Sequence, residues 1–238
     1  MSVRIEYLFP EFAGLYGDVW NMRYLRECMP DAEFINTSFT DEPRFLSGDV
    51  QMVYMGGMTE DQQELVIQKL MPHRDRIMQL IALGTVFLMT ANAGEVFASY
   101  IERDDGSRIP ALGVFDLYAK RRMMQRFHGM VLAEFEGMKL IGFRAQFSQL
   151  YGDNSGYAFA SVLRGCGINR ESKLDGVRIN NFFASTMVGP LLLMNPPLVK
   201  YFMSLLGVED PKLKHEEVIT AAYEARLAQF ENKDVKFD

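Results

Sequence analysis

The stretch GTVFLMTANAGEVFASY, residues 84–100, decides the fold of this chain. It reads as a short apolar strand at 86–89, a tight turn of small and polar residues at 90–94, and a helix that begins at Glu95. Such a strand-to-helix turn is how α/β enzymes present a nucleophile, because it exposes one side chain while neighbouring backbone N–H groups can stabilise an oxyanion. Ala91 stands at the tip of this turn, and its methyl group has no chemistry.

Strand and helix patterns alternate through the first hundred residues. Strands are predicted at residues 3–9, 32–35, 49–55 and 86–89. Helices are predicted at 18–28 and 59–83, with Asp18 and Thr59 as their N-caps. This alternation predicts a parallel sheet with helices on its faces. Ligands of such sheets bind beyond the carboxyl ends of the strands, where the Gly56-Gly57 turn and the Ala91 turn lie.

The second half of the chain is predicted to be richer in strands. A hairpin turn is predicted at residues 104–106, and further strands at 129–135, 139–147 and 177–183. Residues 155–173 read as a loop, and the turn Asn195-Pro196-Pro197 is predicted to open a helix. The amphipathic segment 216–230 is interpreted as a docked surface helix, with a partner-binding helix as the alternative. We expect one domain over residues 1–238, with a helical tail at about 208–238.

Composition and charge exclude several classes of protein. Hydrophobic residues make up 48% and charged residues 24%, which excludes disordered and fibrous chains. The net charge of -6 argues against a nucleic-acid partner, and no apolar run approaches the roughly 20 residues that a membrane helix requires. The two cysteines, Cys28 and Cys166, form no CxxC pair. We therefore expect neither disulfides nor a metal site, no cofactor, and a cytoplasmic location.

Six stretches between residues 4 and 207 carry a resemblance to one family. In chain order they are LFPEFAGLYGDVWNMRYL, YMGGMTEDQQ, GTVFLMTANAGEVFASY, GVFDLYAKRRMMQRFHG, IGFRAQFSQLYG and RGCGINRESKLDGVRINNFFASTMVGPLLLMNP. Together they resemble class I glutamine amidotransferases of the cobyric acid synthase type, in particular the glutaminase subunit of lipid II isoglutaminyl synthase, a peptidoglycan enzyme. The resemblance implies a three-layer α/β sandwich with a mostly parallel central sheet.

The resemblance also implies a chemistry whose two reactive groups are missing. In that family a cysteine attacks the side-chain amide of glutamine, a histidine relays the proton, and the ammonia passes to a synthetase partner. This requires a thiolate with a base in hydrogen-bond reach. The nucleophile position falls on Ala91 and the base position on Val188, so both groups are replaced by aliphatic side chains.

Other departures from the family pattern surround these two positions. Asn92 and Ala93 replace the glycines of the elbow, and Glu95 replaces a glutamine. Arg126 aligns with an arginine that helps to hold the substrate glutamine in the family, although a surface ion pair would explain it equally. The predicted vestigial pocket comprises Gly56, Gly57, Asn92, Ala93, Glu95, Arg126, Arg144 and Gln146.

A relocated Cys/His pair is one way in which activity could survive. Cys166 lies between two glycines, and His128 and His73 are available, but nothing in the sequence brings these groups together. An engineered cysteine-to-alanine change would explain Ala91 but not Val188. Two independent losses therefore indicate an evolved change.

Three functions stay open from the sequence. The first is a non-catalytic subunit that binds, scaffolds or regulates an ATP-dependent ligase or synthetase, or that binds a small molecule in the old pocket. The second is an enzyme with altered chemistry, in which Glu95, Asp18, Arg126 and Arg144 form a charged pocket; alternatively, Glu95 only favours a helix N-terminus. The third is a subunit of an amidating complex that uses free ammonia.

Overall fold

The structure, a computed structural model, describes residues 3–48 and 50–237. Its strands are β1 (Arg4–Leu8), β2 (Glu33–Thr37), β3 (Met52–Met55), β4 (Val86–Thr90), β5 (Tyr100–Glu102), β6 (Arg108–Pro110), β7 (Tyr118–Arg121), β8 (Phe127–Phe135), β9 (Met138–Gln146), β10 (Ser148–Tyr151), β11 (Ala160–Arg164), β12 (Leu174–Asp175), β13 (Val177–Ile179) and β14 (Phe182–Ser185). Its α-helices are α1 (Val19–Cys28), α2 (Glu60–Leu70), α3 (Arg74–Ala82), α4 (Leu191–Met194), α5 (Pro196–Leu205) and α6 (Glu216–Glu231).

A six-stranded sheet forms the centre of the protein, with the strand order β13-β14-β4-β3-β1-β2. Neighbouring strands run parallel from β14 to β2, and β13 is an antiparallel edge strand. Strand β4 is buried along its whole length, as its continuous apolar sequence requires of a strand covered on both faces. The predicted α/β fold with a mostly parallel sheet is confirmed. Asp49, which begins the predicted third strand, lies outside the described residues.

The helical region before β4 is interrupted. Thr59 caps α2 in a capping box with Gln62, as predicted. The prediction of one helix through residues 59–83 is wrong, because the chain forms a short 3₁₀ turn at Met71–His73 before α3 begins. Pro72 explains the break, since proline has no N–H to donate and its ring clashes with the preceding turn of a helix.

The segment after β4 differs from the predicted turn and α-helix. Residues Ala91–Phe97 form a 3₁₀ helix, and the backbone is extended again at Ala98. The carbonyl groups of residues 96–98 accept hydrogen bonds from the backbone N–H groups of residues 112–114. Because these carbonyls are already occupied, the predicted α-helix from Glu95 cannot continue, and the chain enters β5 instead.

The second half adds two four-stranded sheets, with the orders β10-β7-β5-β6 and β12-β11-β8-β9. The predicted turn at residues 104–106 joins the antiparallel strands β5 and β6 and is confirmed. The predicted strands on either side of residues 136–137 form the antiparallel pair β8 and β9. The predicted strand 177–183 is wrong in extent, because the chain turns at Asn180, where φ is +52°, and forms the β13–β14 hairpin. The predicted loop 155–173 is also wrong in part, since it contains β11.

The C-terminal helices close the described chain. Helix α5 begins directly after Asn195, as predicted. The amphipathic tail forms α6, which packs against β8 and β9 and so confirms the prediction of a docked surface helix. Of its sixteen residues only Phe230 is buried. Phe230 belongs with Leu132 and Ile141 to a small apolar cluster that is separate from the main core.

Candidate functional site

The elbow at Ala91 keeps the geometry of a nucleophile turn. Ala91 has a left-handed backbone with φ of +56°, and its N–H donates to the carbonyl oxygen of Met187 at 3.0 Å. Left-handed backbone costs a non-glycine residue about 1 to 2 kcal/mol, so the surrounding structure holds this conformation. Strands β3 and β4 are neighbours, so the Gly56-Gly57 turn after β3 lies beside the Ala91 turn after β4. A Cβ added to Gly57 would lie 3.0 Å from the Cβ of Ala91. The elbow therefore presents a methyl group where a nucleophile would stand.

Val188, to which the resemblance assigns the base position, lies close to the elbow. It follows Met187, the residue that accepts the hydrogen bond from Ala91, and its own N–H donates to Phe143 at 2.8 Å. Its side chain is buried. The structure thus brings the two replaced positions together, and neither an isopropyl nor a methyl group can transfer a proton or attack an amide.

Asp18 is buried beneath the elbow and supports both turns. Its Oδ2 accepts hydrogen bonds from the Gly57 N–H at 2.7 Å and from the Thr90 hydroxyl at 2.9 Å. Burial raises the pKa of Asp18 to about 7, and its Oδ1 has no hydrogen-bond partner among the described residues. Asp18 holds the predicted N-cap position of α1, but its side chain makes no capping hydrogen bond to that helix. Only glycine fits at Gly56, where a Cβ would lie 2.8 Å from the Asp18 carboxylate.

Asn92 fastens the turn after β3 to the elbow. Its Oδ1 accepts from the Met58 N–H at 3.0 Å, and its Nδ2 donates to the Met58 carbonyl at 2.8 Å. The neighbouring Gly57 N–H is already donated to Asp18. Two backbone N–H groups beside the elbow are therefore engaged by side chains of the protein itself rather than directed at a ligand.

Glu95 lies in a separate buried network. Its carboxylate accepts hydrogen bonds from the Ser148 hydroxyl and, at 3.0 Å, from Gln63 Nε2. Gln63 in turn accepts from Arg121 at 2.8 Å. Burial raises the pKa of Glu95 to about 7. The interpretation of Glu95 as a charge at an α-helix N-terminus is wrong, because Glu95 lies inside the 3₁₀ helix.

The two arginines of the predicted charged pocket lie in different environments. Arg144 is buried and forms an ion pair with Asp175 at 2.8 Å, and desolvation lowers its pKa. Arg126 is exposed, donates to the Tyr16 hydroxyl at 3.3 Å and lies 5.7 Å from the centre of the Phe147 ring. Arg126 forms no ion pair within the described residues. The structure therefore does not assemble Glu95, Asp18, Arg126 and Arg144 into one charged pocket.

A cavity of about 140 Å³ lies above Ala91. Of the predicted pocket residues, Asn92 and Gln146 line it, and Arg126 reaches its mouth through Tyr16 and Phe147, which also line it. Gly56 and Gly57 lie in the turn next to Ala91, whereas Ala93, Glu95 and Arg144 are buried outside the cavity lining.

The sequence did not identify several residues around this cavity. Tyr16 and Ser148 line it, and Gln63 links the elbow carbonyl of Asn92 to Glu95. Tyr16 and Gln63 lie inside two of the motifs that carried the resemblance, so these motifs could have pointed to them. Ser148 lies inside a third of these motifs, IGFRAQFSQLYG, although only the fold of β10 brings it to Glu95.

The relocated Cys/His pair finds no support in the geometry. Cys166 is half-buried and free, and it makes no hydrogen bond to His128 or His73 in the described part of the chain. Residues 3–48 and 50–237 also hold no group of three or more His, Cys, Asp or Glu side chains placed to bind a metal. Over the same residues, no helix is long and apolar enough to cross a membrane.

Comparison with curated proteins identifies two relatives of the same kind. The chain is 25% identical over 235 residues to the lipid II isoglutaminyl synthase (glutamine-hydrolyzing) subunit GatD of Streptococcus pneumoniae, covering 96% of this chain and 88% of that one. It is 22% identical over 205 residues to the GatD subunit of Staphylococcus aureus, covering 85% and 83%. No protein-family model matches the chain.

Solved structures show the same fold. A glutamine amidotransferase crystal structure superposes with a TM-score of 0.57 at 17% identity, covering 86% of this chain and 99% of that one. The PurLQS structure from Thermotoga maritima gives a TM-score of 0.55 at 13% identity, covering 95% of this chain and 100% of that one. In fold the chain therefore resembles glutamine amidotransferases, and in sequence it is similar to the GatD subunits of lipid II isoglutaminyl synthase.

Proposed function

We propose that this chain is a glutaminase-like subunit that does not hydrolyse glutamine and that acts by binding a synthetase-type, ATP-dependent partner. The observation that carries the proposal is Ala91, held in a left-handed elbow with Val188 beside it. The two curated relatives are named as subunits of a glutamine-hydrolysing synthase, which supports a partner of that class.

Three requirements of amide hydrolysis are unmet at the elbow. The nucleophile and the base positions carry Ala91 and Val188. The N–H groups of Gly57 and Met58, which could stabilise an oxyanion, already donate to side chains. Because each loss removes a different contribution to the reaction, restoring one alone would not restore activity.

The size of the elbow cavity favours a partner over a small ligand. Ligand pockets usually measure about 300 to 1,000 Å³, whereas this cavity measures about 140 Å³. Its surroundings, by contrast, expose large apolar side chains. Leu15, Tyr16 and Trp20 are exposed on one side, and Met124, which is 95% exposed, lies in the turn that carries Arg126. Aromatic and Met side chains of this kind are enriched in the buried centres of protein interfaces.

The cellular compartment and the domain organisation of the chain are part of the same proposal. Both cysteines are free, which agrees with the reducing cytoplasm where a synthetase would use ATP. We treat residues 1–238 as one glutaminase-like domain that ends in the α6 tail.

An altered enzyme chemistry is the second candidate. One observation favours it: the Ser148 hydroxyl lines the cavity and donates to Glu95, whose pKa of about 7 suits acid/base catalysis at neutral pH. Arg126 would then act only at the cavity mouth, since it does not pair with Glu95.

Two measurements test the proposal. Purified protein incubated with glutamine should release no glutamate above a buffer blank in a coupled glutamate dehydrogenase assay. Release that disappears in Cys166→Ala, Ser148→Ala or Glu95→Gln would contradict it.

Co-purification from the source cell should recover an ATP-dependent ligase, and Trp20→Ala should weaken that recovery. If the recovered ligase amidates its substrate with free ammonia and this chain raises that rate, the chain is a subunit of an ammonia-dependent complex. Recovery of no ligase would overturn the partner proposal.

A further inference from the structure

A second cavity lies beneath the C-terminal helix, away from the elbow. It measures about 320 Å³ and is bounded by α6, by β9 and by the end of α4. Ile141, Phe143 and Met194 form its inner wall, and Ile219, Ala222 and Arg226 of α6 form its outer wall. Its volume reaches the range of ordinary ligand pockets, which the elbow cavity does not.

The cavity exists because α6 covers β9 incompletely. Phe230, near the end of the helix, is buried against Ile141 in the small apolar cluster, whereas Ile219 and Tyr223 are only half-buried. The apolar side chains around this open space face water, and burial of their surface is favourable. An apolar molecule between α6 and β9 would cover that surface.

Arg226 gives the cavity its charge preference. Of the residues that line it, Arg226 alone is charged. Within the described residues its guanidinium forms no hydrogen bond and no ion pair, and the side chains three and four positions away on α6 include no acid. The Tyr223 hydroxyl is already donated to the Lys139 carbonyl at 2.7 Å, so it is not directed at a ligand.

We propose that the α6 cavity binds a small molecule with an apolar body and a carboxylate, the body between α6 and β9 and the carboxylate on Arg226. A guanidinium can donate two parallel hydrogen bonds to a carboxylate, whereas the apolar side chains that line the cavity can donate none. The proposal goes beyond the proposed partner function and does not depend on it.

The cavity lies one strand away from the elbow. Ile141 and Phe143 face α6, whereas Gly142 between them faces the opposite side, where a Cβ would fall 2.3 Å from the Met187 sulfur. The Phe143 carbonyl accepts the hydrogen bond from Val188. A molecule bound under α6 would therefore contact the strand that holds the former base position.

Isothermal titration calorimetry with three eight-carbon probes tests the proposal. Octanoate should bind with one site per chain, about tenfold more tightly than 1-octanol, which corresponds to one charge-assisted pair. Octylamine, with the opposite charge, should bind more weakly than both. No octanoate binding, or equal binding of octanoate and octylamine, would overturn the proposal.

Three variants locate the site. Arg226→Gln, at an exposed position, should reduce octanoate affinity to that of 1-octanol, whereas Lys233→Gln, which removes a cation outside the cavity, should leave it unchanged. Ala222→Trp should fill the cavity and abolish the binding of both probes, with circular dichroism confirming the fold and Ile219→Trp serving as a second filling variant. Wild-type octanoate binding in Arg226→Gln or in both filled variants would overturn the proposal.

Discussion

The elbow and helix α6 are held in place in opposite ways. At the elbow, Asp18, Asn92 and Glu95 are buried and each makes at least two hydrogen bonds to neighbouring segments. Helix α6, although sixteen residues long, buries only Phe230 and leaves a cavity behind it.

The difference shows which region cannot be altered without loss of the fold. The elbow has no reactive side chain, yet its buried polar groups, apart from Asp18 Oδ1, form hydrogen bonds with distant parts of the chain. A buried polar group left without its partner is costly. In α6, exposed side chains contribute little to stability, so they can change without affecting the fold. We therefore expect the elbow to be structurally indispensable and α6 to be tolerant.

Removal of a buried charge should produce the largest difference in the free energy of unfolding. Arg144→Met leaves Asp175 buried without its ion-pair partner, and we expect the free energy of unfolding to fall by about 4 kcal/mol. Arg226→Met on α6 should change it by about 0.5 kcal/mol or less, because Arg226 is exposed. Urea denaturation followed by circular dichroism measures both. Equal effects would remove the distinction between buried, paired charges and the exposed charges of α6.

Asp18 tests the hydrogen bonds beneath the elbow. Asp18→Ala leaves the Gly57 N–H and the Thr90 hydroxyl without their acceptor, and we expect a loss of about 3 kcal/mol. Asp18→Asn keeps one acceptor oxygen and should lose about 1 kcal/mol. Glu217→Ala, which removes an exposed carboxylate of α6, is the matched control and should be nearly silent. A loss as small in Asp18→Ala as in the control would contradict the supporting role.

Glu95 makes stability depend on pH. Its pKa is about 7 in the folded chain and near 4.5 otherwise, so between these values the folded state holds a proton that the unfolded state has released. The free energy of unfolding should therefore fall as pH rises from about 4.5 to 7, by on the order of 3 kcal/mol, and then level off.

Thermal unfolding between pH 4.5 and 8 measures this slope. Glu95→Gln should lose less stability over the same window. The remaining decline is due to Asp18, whose pKa is also about 7, and to Glu6, whose pKa is also raised by burial. Glu224→Gln on α6 should reproduce the wild-type slope, because Glu224 is exposed. If Glu95→Gln keeps the full slope, the decline has another origin.

The strain at Ala91 should give the smallest effect. Glycine accepts a left-handed backbone without the cost of about 1 to 2 kcal/mol that alanine carries, but it loses more entropy on folding. We expect Ala91→Gly to stabilise the chain by about 0.5 kcal/mol. Ala93→Gly, two residues on and with negative φ, should destabilise it by about 1 kcal/mol. Chemical denaturation distinguishes the two signs, and destabilisation by Ala91→Gly would show that its methyl contacts outweigh the strain.

Local patterns and the resemblance predicted much of the fold and part of the site. The apolar run of β4 predicted a buried strand, and Thr59 with Gln62 predicted a helix start. The shared motifs assigned the nucleophile position to Ala91 and the base position to Val188, and in the structure the Ala91 N–H donates to Met187, the residue before Val188.

The features that the sequence did not predict depend on contacts between residues that are far apart in the chain. Ser148 reaches Glu95 across 53 residues, and Asp175 reaches Arg144 across 31. Glu95 and Arg144 were assigned to one charged pocket because their partners could not be read from neighbouring positions. The 3₁₀ helix was missed for the same reason, since residues 112–114 occupy the carbonyls that an α-helix from Glu95 would need.

Trp20 gives the cavity mouth an optical reporter. The chain contains a single tryptophan, and this one is 49% exposed, with the Arg23 guanidinium 5.1 Å from its ring centre. It lies beside the Gly17 turn that carries Tyr16 at the mouth of the elbow cavity. Because no second indole contributes to the emission, the intrinsic fluorescence of the unlabelled protein reports on this face alone, and a partner that covers it will change the emission directly.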